Sequence, residues 1–168
     1  MRVFSPSGDL RTPYWDDPDL VAANPTLSLP HQRIFLALRS GSSGTTQNFK
    51  TGLKIIAAKE NVAYAGDTNQ TPTWNLNSQD YATFSSPALI AAFVAATPYS
   101  LAFLPSDIDS EGLYDAGIIN MKSGGVVSRS SDPAHVLAAA DLAIVDNSLN
   151  VFLLDISPET SGGSIGSI

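Results

Sequence analysis

At 168 residues, the chain is long enough for one domain with a real core. Its 43% hydrophobic and 15% charged residues exclude a disordered chain, and a net charge of −7 with nine Lys plus Arg argues against nucleic acid and anionic membrane surfaces as partners. The absence of cysteine excludes disulfides, thiolate metal sites and cysteine nucleophiles, and no apolar run approaches the ~20 residues of a membrane span. Met1-Arg2-Val3-Phe4-Ser5-Pro6 has no apolar signal-peptide core, so either the protein is not exported or an export signal lies outside these residues.

The first expected helix is short. Asp17 suits an N-cap, Pro18 suits the first helical position, Leu20 to Ala23 supply the apolar face, and Asn24-Pro25 stops it. A buried strand is expected at Arg33–Leu38, where Ile34-Phe35-Leu36-Ala37-Leu38 is wholly apolar. A small-residue loop follows, Arg39-Ser40-Gly41-Ser42-Ser43-Gly44-Thr45-Thr46. A helix is expected from about Thr45 to Lys59, with Phe49, Leu53 and Ile56 on one buried face.

Residues 60–85 are rich in Asn, Gln, Thr and Ser and are expected to be irregular. Ser86-Pro87 opens an Ala-rich helix over Ala88–Ala96, which Thr97-Pro98 ends. Strands are expected at Ser100–Leu104 and Gly117–Met121, a third Ala-rich helix at Ala134–Ala140 after Asp132-Pro133, and a late strand at Val151–Leu154. Alternating strands and helices indicate an α/β architecture. The tail from Ser161 to Ile168 has the composition of a linker.

Strand, small-residue loop and helix in succession can build an anion site. The first N–H groups of a helix have no internal acceptor, and the helix dipole places partial positive charge there. Ser43, Thr45 and Thr46 add hydroxyls, and Arg39 adds a planar, fully charged fork suited to an oxyanion. An ordinary Ser/Gly turn with a Thr N-cap explains the same residues without a ligand.

Other groups point less far. Asp107-Ile108-Asp109-Ser110-Glu111-Gly112 has the front half of a calcium loop, but its twelfth position is Ile118, so a solvated acidic turn is expected. Asp16, Asp17 and Asp19 cluster, with Asp17 already assigned to capping. His31 and His135 do not have the spacing of a metal pair. No G-x-S-x-G elbow and no G-K-[ST] ending is present, so neither an enzyme nor a nucleotide site is expected, and no cofactor. Trp15 and Trp74 are expected to be half-buried packing residues.

Several segments together resemble the PstS-like type II periplasmic binding proteins, the phosphate-binding components of bacterial phosphate ABC transporters. Tyr14-Trp15-Asp16-Asp17-Pro18, Ala23-Asn24-Pro25 and Leu29-Pro30 are similar to that family's W-N-D-P, N-P and L-P approach. Arg39 to Thr46 resembles its phosphate loop, R-x-D-G-S-G-T, and Thr97 to Phe103 resembles its T-P-G-S-I-G-Y turn and strand. Ala116 to Asn120 with Gly125-Val126-Val127 resembles the hairpin that follows, and Asp132 to Ala140 its Ala-rich return helix.

The resemblance implies one lobe, the second, of a two-lobed fold: a central mixed sheet flanked by helices, with an approach segment at 1–30, a lobe core at 31–140 and a return segment with tail at 141–168. The first lobe is not contained in the chain, which is then a piece of a longer protein or a natural single-lobe relative. The implied ligand is phosphate or a related oxyanion, held by Arg39, Ser43, Gly44 and Thr45. The implied setting is extracytoplasmic, with an ABC transporter permease as partner. Three positions depart from the family: Gly41 replaces the loop aspartate that pairs with the arginine, and Tyr99 and Ala102 replace glycines. An alternative is therefore a sensory, adhesive or assembly module with a degenerate ligand site. Apolar residues near the ends (Val3, Phe4, Leu10, Tyr14 and Trp15; Ile156, Ile165 and Ile168) suggest a homodimer formed through one of them.

Overall fold

The computed structural model describes residues 2–4, 13–59, 66, 68–71, 73–105, 108, 112–114, 116, 118–119 and 126–127. The chain divides into two compact units, Met1–Leu113 and Tyr114–Ile168. In the second, β4 (Ile118–Ile119) pairs antiparallel with β5 (Val126–Val127), the hairpin that the resemblance implied. The expected helix at 134–140 and strand at 151–154 lie outside the described residues.

The first unit contains α1 (Pro18–Ala23), β1 (Phe35–Arg39), α2 (Gly44–Lys59), β2 (Tyr81–Phe84), α3 (Pro87–Ala96) and β3 (Ser100–Ala102). Among the described residues, no helix is long and apolar enough to cross a membrane. The caps of the short helices are those expected. Asp17 Oδ1 accepts from the Asp19 amide at 3.0 Å with Pro18 at the first helical position, and Ser86 Oγ accepts from the Leu89 amide at 3.3 Å ahead of Pro87.

The three strands form one sheet in the order β2-β1-β3, all parallel. The antiparallel pairing lies in the β4–β5 hairpin, a separate sheet. Central β1 follows from its composition. Ile34, Leu36, Ala37 and Leu38 are fully buried, as a strand covered on both faces must be. Ile34, Leu36 and Leu38 share a face with Val3, and Trp15, Leu20, Trp74 and Leu76 pack against that cluster. The other face meets α3, where Phe93 lies 5.7 Å from Phe35 and 4.9 Å from Phe84 between ring centroids.

Strand β2 lies within the stretch expected to be irregular. Tyr81-Ala82-Thr83-Phe84 is only four residues long, and it becomes a strand by lying beside β1 in the register Leu36 to Tyr81 through Arg39 to Phe84. Tertiary pairing overrides a weak local signal. On α2 the buried stripe is also displaced from expectation: Thr46, Lys50, Leu53 and Ala57 are buried, whereas Phe49 and Ile56 are half-buried.

The start of the chain folds back on this unit. Val3 belongs to the core, and the Phe4 ring meets Phe49 edge-on at 4.8 Å and Phe103 at 6.1 Å. Trp15 donates its indole N–H to the Tyr99 carbonyl at 3.1 Å, and Tyr14 stacks on His31 at 4.5 Å. The expected exposed apolar patch is therefore not found at Val3, Phe4, Tyr14 and Trp15. Leu10 and the C-terminal isoleucines lie outside the described residues. Arg33 pairs with the fully buried Asp80 and lies over the Tyr14 ring, tying this segment to the turn before β2. The hydrogen bond to Asp80 raises the Arg33 pKa above its already high ordinary value.

The turn into β3 carries a departure visible in the sequence. Tyr99, where the family has glycine, sits at φ 62°. That left-handed conformation costs a residue with a Cβ about 1–2 kcal/mol. The Tyr99 side chain is 48% exposed, so little packing offsets the strain. Tyr99→Gly should hold or raise stability by up to ~1 kcal/mol, because glycine's extra chain entropy cancels only part of the relief. Tyr99→Val should destabilise. Urea unfolding midpoints of the two variants check this, and equal losses in both would show that the backbone here is not strained.

Candidate functional site

The topology marks one end of the sheet. From β1 the chain passes through α2 to β2 on one side, then through α3 to β3 on the other side of β1. Open α/β sheets bind ligands at the carboxyl ends of the strands where such connections diverge. The loop Ser40–Ser43 lies at that end of the central strand, and the 16-residue helix α2 starts from it.

Arg39 is the last residue of β1. Its Nη1 donates to the Ser85 carbonyl, just beyond β2 and before the cap of α3. Its Nε is buried without a hydrogen-bond partner among the described residues. Ser40 continues the ladder by donating its amide to Phe84 at 3.0 Å. Gly41 has open space where a Cβ would stand, so a side chain fits there.

Helix α2 begins at Gly44, one residue earlier than expected, and its cap is Ser43, not a threonine. Ser43 Oγ accepts from the Thr46 amide at 3.3 Å, and the Ser43 carbonyl accepts from the Gln47 amide at 3.1 Å. Ser43's own amide donates to the Gln70 carbonyl at 3.0 Å. The three amides from Ser43 to Thr45 are therefore not equivalent. Those of Gly44 and Thr45 stand at the first two helical positions, where no intrahelical acceptor exists, while that of Ser43 is already engaged.

Beside Thr46, expected to offer a hydroxyl, three residues that the sequence reading left out or read as packing support this loop: Lys50, Gln70 and Trp74. Thr46 is fully buried, and its Oγ1 has no hydrogen-bond partner among the described residues. Lys50 is 1% exposed; its Nζ donates to the Thr73 carbonyl at 3.3 Å and lies 4.6 Å from the centre of the Trp74 ring. Trp74 donates its indole N–H to the Arg39 carbonyl at 3.1 Å. Gln70 accepts from Ser42 Oγ at 3.2 Å as well as from the Ser43 amide. The one signal available was the spacing Thr46, Lys50, Leu53, Ala57, which puts two polar residues on an otherwise apolar helical face.

Other expected groups remain apart. His31 pairs with Asp16, its Nδ1 lying 2.9 Å from Oδ2 at the surface. Among the described residues no group of His, Asp and Glu could hold a metal ion. Of the acidic stretch 107–112 only Ile108 and Gly112 are described, the latter at φ 81°.

Comparison with known proteins gives two relatives of one kind. The phosphate-binding protein PstS of Methanocaldococcus jannaschii is 31% identical over 138 residues, 80% of this chain and 35% of that protein. The phosphate-binding protein PstS of Haemophilus influenzae is 54% identical over 43 residues, 26% of this chain and 13% of that protein. The chain thus spans about a third of the length of the first relative. No protein-family model matches it.

The corrected cap sets a test of the loop alone. Ser43→Ala should cost ~1 kcal/mol through the lost bond to the Thr46 amide. Thr45→Ala should stay within ~0.5 kcal/mol, since alanine suits an early helical position. Thermal or urea unfolding distinguishes them, and the reverse order of losses would return the cap to Thr45.

Proposed function

The chain is PstS-like in sequence, and from that premise we propose that it binds a small oxyanion, phosphate first, as part of a substrate-binding protein. The observation that carries this reading is the arrangement around the loop after β1. The first-turn amides of Gly44 and Thr45, which have no intrahelical acceptor, stand at the N-terminus of a 16-residue helix, at the carboxyl end of the central strand. Arg39 leaves the same strand end, and its buried Nε has no hydrogen-bond partner among the described residues. A buried donor without an acceptor is costly, and an anion oxygen would satisfy it.

The ligand residues on this reading are Arg39, Ser43, Gly44 and Thr45. Gly44 and Thr45 act through their amides. Arg39 acts through its charge, and Ser43 by fixing the helix start. The arrangement supplies donors and positive charge, which is what holding an oxyanion requires. It supplies no base bonded to a nucleophile, so binding is proposed and not catalysis.

Such a site reaches high affinity when donors converge from two sides and water is excluded on closure. We place the other side in a further lobe of the parent protein, which would act outside the cytoplasm and deliver its ligand to an ABC transporter permease. A second reading is a sensory, adhesive or assembly module with a degenerate site. Gly41 in place of the family's aspartate and the engagement of the Ser43 amide by Gln70 favour it.

Titration with phosphate, followed by amide NMR shifts, tests both readings. The chain alone should bind phosphate with a Kd on the order of millimolar, equivalent to about −4 kcal/mol, with the largest shifts at Gly44 and Thr45. Arg39→Gln should weaken this beyond detection. No shift at Gly44 or Thr45 in tens of millimolar phosphate, on the order of that affinity, would favour the second reading.

A further inference from the structure

Trp74 touches both elements that the loop joins. Its indole N–H bonds the carbonyl of Arg39 at the end of β1, and its ring lies against the ammonium of Lys50 in the second turn of α2. Lys50 also reaches the carbonyl of Thr73, the preceding residue. Four residues earlier, Gln70 holds the middle of the loop through the Ser43 amide and the Ser42 hydroxyl. The chain just before β2 is thus fastened to the strand end, the loop and the helix.

We infer that Trp74 is a positioning residue for the anion loop: by bridging the Arg39 carbonyl and the Lys50 ammonium, it fixes the spacing between Arg39 and the amides of Gly44 and Thr45. The inference rests on the proposed oxyanion site and deepens it. An oxyanion held from two directions needs its donors set to within a fraction of an ångström, and such precision comes from groups behind the ligand contacts. Without Trp74 the direct bridge from the Arg39 carbonyl to Lys50 is lost, and their spacing falls more heavily on the small-residue backbone of Ser40 to Ser43. The buried ammonium adds to this, because both the ring and the Thr73 carbonyl help to replace its water.

Packing alone is the competing account, since Trp74 also meets Phe103, 6.1 Å away between ring centroids. Trp74→Phe separates the two. It keeps an aromatic ring near Phe103 and Lys50 while removing the donor to Arg39 and part of the indole's bulk, a loss that the matched control shares. Trp15→Phe is the matched control. It removes an indole N–H bond of the same 3.1 Å length to a backbone carbonyl, that of Tyr99, at the opposite end of the sheet.

Two measurements on the intact chain complete the test. The first is hydrogen exchange, without added anion, at the bonded amides of Ser43, Thr46 and Gln47. The second is the Kd for inorganic phosphate from amide shifts. Trp74→Phe should speed exchange at those amides roughly tenfold and weaken phosphate binding by a similar factor, while Trp15→Phe changes neither beyond its effect on global stability. Equal effects of the two variants on exchange and affinity would overturn the positioning role and leave the anion site standing. Wild-type protein that ignores phosphate, with a loop that still loosens in Trp74→Phe, would remove the anion reading and leave the positioning role.

Discussion

Strand β1 is surrounded, and the unit that contains it is arranged to accommodate that. Ile34, Leu36, Ala37 and Leu38 are buried, so their backbone N–H and C=O groups must find partners inside the protein. Parallel strands on both sides supply them. Parallel neighbours in turn require crossovers, which α2 and α3 provide. Strand β1 leads directly into α2, whose N-terminus therefore stands at the strand's carboxyl end, while α3 leaves β2 and crosses to β3 on the other side. The helix N-terminus that the proposed anion site uses is thus a by-product of burying an apolar run, before any residue is chosen for a ligand.

The sequence made that frame readable where local signals were strong. The apolar run, the Asp17-Pro18 and Ser86-Pro87 starts and the Asn24-Pro25 and Thr97-Pro98 stops each act within a few residues, and each was found in place. Strand β2 was not readable, because four residues of mixed character become a strand only through Leu36 to Arg39 alongside. The cap of α2 was off by a small margin for a related reason. Ser43, Thr45 and Thr46 are all acceptable caps, and the choice falls to Ser43 once Gln70 holds its amide.

What supports the loop was hidden more deeply. A lysine in a helix is read as solvated, and a tryptophan as packing; both readings are sound in general. Lys50 is buried because the carbonyl of Thr73 and the face of Trp74 replace water around it, and both lie in a polar stretch whose path no periodicity announces. Local rules failed at the polar groups nearest the proposed site, where function tends to override them.

The contact of Phe4 with Phe103 also bears on how the protein is made. Residues leave the ribosome in chain order, yet the Phe4 ring is completed by that of Phe103, made much later. Strand β1 meets a similar delay, since its second neighbour is Ser100–Ala102. Until Ser100–Ala102 has been made, the run Ile34–Leu38 therefore waits without one of its edges covered, and such a run is prone to pairing with other chains. The parallel sheet that shapes the loop thus makes assembly late, since its central strand is complete only after a long stretch of chain has been made.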